Sequence, residues 1–189
     1  DLIVTGVQTC ALPICIDFKE ALKILADNAG IQLDQNFTKK KVDSDLEELY
    51  KINDLAVSLF KNNLASASGK EARMYLQKRG LNDETIKYFN IGLACNSVIS
   101  NMVSKKYSSN ILEELDLCKI YNDKIYDTFE NRIMFPISNE NGNVVGFTGR
   151  IYRESDKGES KYINTKETKI FRKGRILYNL NNAKKTLSI

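Results

Sequence analysis

From Asp17 onward apolar residues return every three or four positions, at Phe18, Ala21, Leu22, Leu25, Ala26 and Ala29, and Gly30 follows. That spacing predicts an amphipathic helix with a glycine stop. The polar, lysine-rich stretch 35–43, QNFTKKKVD, breaks the pattern and reads as a solvated linker. Ser44 and Glu47 then have the spacing of a capping box, opening a long helix whose inner side carries Leu49, Ile52, Ala56, Leu59, Phe60 and Leu64. A break is expected near Gly69, a second helix over 70–79 ending at Gly80, and a short third one capped by Asn82 and carrying Ile86 and Phe89. Tyr75 and Tyr88 fall where core aromatics are expected. IGLA at 91–94 reads as a short strand and 97–117 as two further short helices. Beyond Ile120 the pattern turns to β: IMFPI and VVGFTG are apolar runs joined by SNENGN, whose Asn-Gly pair suits a tight hairpin turn. Helices first and antiparallel strands afterwards predict an α+β fold, not a doubly wound one.

The first fifteen residues do not continue into this pattern. Their apolar positions are interrupted by Gly6 and stopped by Pro13, and the absence of Lys and Arg removes the basic start of a secretory signal. VTGVQTCALPI reads instead as one frame of a DNA-sequencing adapter, so residues 1–15 are expected to be foreign to the fold, and the native chain to begin near Cys15 or Ile16.

Composition narrows the chemistry. The chain has 189 residues, enough for one cored domain or two small subdomains, and none of its apolar runs approaches the ~18 residues of a bilayer span. There is no histidine, which removes the commonest general base and the usual mixed zinc sites. Cys10, Cys15, Cys95 and Cys118 show no CxxC spacing and read as reduced structural thiols. Glu47, Glu48, Glu113, Glu114 and Asp116 sit in helical contexts and read as solvated faces, not as a metal site.

The net charge of +4 is mild, but its distribution is not. Nine basic and four acidic side chains lie between Arg150 and Arg175, an excess larger than that of the whole chain. Tyr162 and Phe171 lie among these charges, as in grooves that hold single-stranded nucleic acid by phosphate charge and base stacking. A solvated sheet edge protected by lysines has the same composition. Gly149 beside Arg150 and Gly174 beside Lys173 favour the first reading, since a missing side chain lets a backbone approach a phosphate. No phosphate-loop signature occurs.

Four blocks in order, DFKEALKILADNAGI, YLQKRGLNDETIKYFNIGLA, YDTFENRIMFPISNENGNVVGFTGR and SKYINTKETKIFRKGRILYNL, resemble bacterial DnaG-type DNA primase. The likeness spans nearly everything from Ile16 onward. It implies a modular enzyme that makes RNA primers on single-stranded DNA: a zinc-binding domain, an RNA polymerase core, and a C-terminal region that contacts the replicative helicase. Residues 16–42 then correspond to the helix and linker after the zinc domain. Residues 43–189 correspond to the N-terminal subdomain of the core, before the acidic, metal-binding topoisomerase-primase half. By resemblance, Arg132, Gly149, Arg150, Lys161, Tyr162, Asn164, Lys173 and Gly174 occupy the family's basic motifs and are expected to hold phosphates of the template, the incoming nucleoside triphosphate or the RNA primer. Mg2+ or Mn2+ and Zn2+ are expected in the whole family protein and none in this segment, with a cytoplasmic location and no membrane partner. The alternative is a stand-alone single-stranded nucleic-acid-binding module without catalysis, and a protein-docking scaffold is a further possibility. Three positions depart from the usual blocks: Thr128 stands where arginine is usual, and Ser160 and Lys166 where proline is common.

Overall fold

The computed structural model describes residues 24–30, 44–96, 99, 105–153, 158 and 160–187. The adapter-like residues 1–15, the linker at 35–43 and most of the stretch 97–104 lie outside them. The chain divides into one unit of 43–183 and another of 1–42 with 184–189. In the smaller unit 24–28 is helical, and Gly30, with φ +66°, ends the turn by donating to the Asp27 carbonyl.

The larger unit opens with α1 (Ser44–Ala65). The six inner-side residues expected from the pattern are all buried, Ile52 and Ala56 completely. A single 3-10 turn, Ala67–Gly69, leads into α2 (Lys70–Lys78) and α3 (Asp83–Tyr88). Asn82 caps α3 as expected, its Oδ1 accepting the Thr85 N–H at 2.8 Å. Next come β1 (Gly92–Ala94), α4 (Ser109–Glu114), β2 (Cys118–Tyr121), β3 (Lys124–Asp127), β4 (Arg132–Ser138), β5 (Val144–Ile151), β6 (Tyr162–Asn164) and α5 (Leu180–Leu187). None of these helices is long and apolar enough to cross a membrane, among the described residues.

The strands form an antiparallel sheet in the order β1-β4-β5-β6 and a separate β2-β3 hairpin, giving the α+β architecture expected. The β2-β3 hairpin was not foreseen. Its two-residue turn is Asn122-Asp123, both left-handed at φ 49° and 57°, a pair that short polar side chains support without the usual glycine. The Asn-Gly pair between β4 and β5 behaves differently from expectation. Only Gly142 is left-handed there, and Asn139 closes a longer loop by accepting the Asn141 and Asn143 N–H groups on Oδ1.

One face of the large sheet packs on α1. Phe147 on β5 is fully buried, edge-on to Phe60 of α1 and to Phe129, with ring centroids 5.5 and 6.3 Å away. Asn53, itself buried, ties α1 to β5 through a 3.0 Å bond from Nδ2 to the Val144 carbonyl. On the opposite face Leu93 and Ile133 are covered by Ala72 and Leu76 of α2. On the same face Tyr75 of that helix reaches Arg150 on β5, and Thr165 and Phe171 lie over Gly146, whereas Tyr162 and Asn164 on β6 are exposed.

Candidate nucleic-acid interface

Strand register sorts the expected residues. Arg150 pairs with Tyr162 and Thr148 with Asn164, so these four side chains emerge on one face, two rungs deep. The Thr148 hydroxyl donates to Asn164 Oδ1 at 2.7 Å, which fixes the amide and leaves its nitrogen as a donor. The Arg150 guanidinium lies over the Tyr162 ring, 4.8 Å from its centroid, while Tyr162 is 47% exposed. Beside them Tyr75 of α2 accepts the Arg150 Nε–H on its hydroxyl at 2.9 Å.

Arg132 and Gly149 lie on the other face. Arg132 is 4% exposed and donates from Nη1 to the Ser160 carbonyl at 2.8 Å, which anchors the approach to β6. A Cβ on Gly149 would stand 2.9 Å from Phe129 Cδ1 and 3.1 Å from Arg132 Cδ. The space that this glycine leaves is therefore filled by the protein's own packing, which supplies a reason for it independent of any phosphate.

The basic segment is a bonded loop studded with cations. Thr165, buried, exchanges two 2.9 Å bonds with Phe147, one through its hydroxyl and one through its N–H, and so prolongs the β5-β6 pairing. Asp116 accepts the Lys166 N–H at 2.9 Å, and Glu167 accepts the Lys173 N–H at 2.8 Å. Phe171 is buried against Ile137 and Val145, and its N–H reaches the Thr168 hydroxyl at 3.0 Å. Between these anchors Lys161, Lys166, Lys169, Arg172, Lys173 and Arg175 are all exposed. Gly174 sits in a 3-10 turn with open space where a Cβ would be. Phe171 is thus a core anchor, whereas Tyr162 keeps an accessible ring.

Two expectations need correction. Asp116 is buried, not solvated: at φ 54° it ends α4 and turns its carboxylate onto the Lys166 amide. Tyr88 is 58% exposed, because α3 is only two turns long and its inner side is taken by Ile86 and Phe89. The residues that sequence reasoning missed are Tyr75, Thr148, Thr165 and Asp116. Thr148 was readable, since it stands two positions before Arg150 on one strand; the others meet their partners across 18 to 75 positions. Acidic groups here are engaged in such clips, and no cluster of three metal-ligating side chains occurs among the described residues.

The sequence model of the family described as DNA primase catalytic core, N-terminal domain, matches residues 59–184. The DNA primase of Lactococcus lactis subsp. lactis is 42% identical over 176 residues, covering 92% of this chain and 28% of that protein. The chain spans about 28% of the length of this relative and of the DNA primase of Clostridium acetobutylicum. The structure of the DnaG primase catalytic domain bound to ssDNA aligns at TM-score 0.68 and 34% identity, over 76% of this chain and 45% of that one. The Aquifex aeolicus primase, in a structure of its zinc-binding and RNA polymerase domains, aligns at TM-score 0.65 and 28% identity, over 90% of this chain and 40% of that one. With its antiparallel sheet, its helical cover and the ordered blocks of sequence that carry the likeness, this chain belongs to the DnaG-type DNA primase family, residues 59–184 matching the N-terminal domain of its catalytic core.

Proposed function

We propose that this chain is the template-holding half of a primase core, part of a DNA-directed RNA polymerase that makes short RNA primers on single-stranded DNA. The observation that carries this reading is the joining of two features on one edge of the sheet. One is the Arg150-Tyr162 and Thr148-Asn164 rungs; the other is the loop that raises Lys161, Lys166, Lys169, Lys173 and their neighbours into solvent. Arginine clamps a phosphate through paired N–H groups, lysine attracts it as a point charge, and an open tyrosine ring accepts a base of any sequence. The structure of a relative's catalytic domain bound to ssDNA supports the same assignment.

Lys161, Tyr162, Asn164, Lys173 and Gly174 are assigned to the template or to the phosphates of the nucleoside triphosphate and primer, together with Arg150. Arg132 and Gly149 support that surface from beneath. Among the described residues no three metal-ligating side chains cluster as a catalytic Mg2+ or Mn2+ site would need, and Glu71, Asp116 and Glu167 near the basic face are engaged by Arg153 and two backbone amides. Nucleotidyl transfer is therefore assigned to an acidic half outside these residues, Zn2+ to a zinc-binding domain such as the Aquifex relative has, and helicase contact to another region. The chain by itself holds DNA and does not synthesise primers, and its location is the bacterial cytoplasm.

The test is fluorescence anisotropy of labelled single-stranded DNA across a salt series, comparing the chain with a Lys161→Glu, Lys173→Glu variant. Loss of two phosphate contacts lowers the slope of log affinity against log salt by about 1.4. Unchanged binding and slope in the variant would refute the assignment.

A further inference from the structure

One face of α2 meets two arginines in different ways. Glu71 and Tyr75 stand one turn apart, so both point toward the end of β5. Glu71 reaches Arg153: its carboxylate Oε2 lies 2.9 Å from Nε, and the pair cancels charge. Tyr75 reaches Arg150 with a neutral group. Its hydroxyl accepts the Nε–H at 2.9 Å, and the guanidinium carbon lies 5.6 Å from its ring centroid and 4.8 Å from that of Tyr162. Among the described residues no ion pair includes Arg150.

We infer that Tyr75 is a positioning residue that holds the Arg150 guanidinium against Tyr162 without neutralising it, keeping a full positive charge and a fixed pair of terminal N–H groups for a nucleic-acid phosphate. The inference rests on the proposed function, and it goes further by assigning a second layer to the site. With Nε committed to the phenol, four N–H donors on Nη1 and Nη2 are left, the set that meets two phosphate oxygens end-on. A carboxylate at position 75 would aim the arginine equally well but would remove the charge that the phosphate needs. The ring contacts restrain the side chain further, so less rotamer freedom is lost when DNA arrives.

The test is a double-mutant cycle of Tyr75→Phe and Arg150→Ala in the 189-residue chain, read by single-stranded DNA anisotropy with thermal melting alongside. Phenylalanine keeps the packing of the ring, so the melting midpoint falls only slightly, by the loss of one partly buried hydrogen bond, while affinity falls roughly fivefold because the guanidinium must now be ordered when DNA binds. In the Arg150→Ala background the same change has no further effect on affinity. Parent-like binding by Tyr75→Phe, or an equal loss in both backgrounds, would overturn the inference. The Lys161→Glu, Lys173→Glu variant separates the two levels. If it loses binding while Arg150→Ala does not, the positioning role fails and the proposed function stands; if neither loses binding, the function fails and the inference with it.

Discussion

Gly149→Ala tests whether the glycine beside Arg150 serves packing or phosphate approach. The added methyl group would enter 2.9 Å from Phe129 Cδ1 and 3.1 Å from Arg132 Cδ. Neither neighbour yields easily: Phe129 is 2% exposed with its ring against Phe147, and Arg132 is held by the Ser160 carbonyl. Overpacking of this kind costs about 1–3 kcal/mol, offset by ~0.4–1 kcal/mol from the stiffer unfolded chain, for a net loss of roughly 1–2 kcal/mol. For a domain of this size the melting temperature then falls by about 3–6 °C. The assay is thermal and urea unfolding followed by circular dichroism, beside single-stranded DNA anisotropy. Stability should drop while affinity stays within about twofold of the parent, because the methyl group lies on the face away from Tyr162. Gly174→Ala should behave in the opposite way. Its Cβ meets open space, so stability holds and any close backbone contact with a phosphate shows as lost affinity. A Gly149→Ala chain that melts like the parent yet binds DNA weakly would refute the packing argument.

Two further outcomes can be checked on the isolated chain. Burial pushes the Cys118 thiol up to about 11 from an ordinary 9.0, with Glu113, Asp127 and Asp116 adding to the rise. At pH 8 iodoacetamide should therefore label the half-buried Cys95 well before Cys118. The folded value lies above the unfolded one, so the thiol's contribution to stability is intact below pH 9.0 and declines as pH rises toward 11. Urea midpoints should fall less between those limits in Cys118→Ala than in the parent. Asn82→Ala removes the acceptor for the Thr85 amide and should cost about 1 kcal/mol, read as a lower urea midpoint at unchanged slope.

Sequence alone determined the inner face of α1, the cap and stop of the short helices, the order of helices before antiparallel strands, and the four blocks that carry the family likeness. These are local properties: a period of 3.6 or 2, or a cap within four residues, is written in neighbouring positions. Charge density from Arg150 to Arg175 was equally legible, as a count along the chain. The tertiary structure alone decided which of those charges share a surface. Strand register put Arg132 beneath the sheet and Arg150 above it, although both lie in basic motifs. Packing of α2 brought Tyr75 to an arginine 75 positions away, and the Asp116 clip reached across 50. A polar pair at such separation leaves no period in the sequence, because its partners are brought together only by the apolar packing of the elements that carry them.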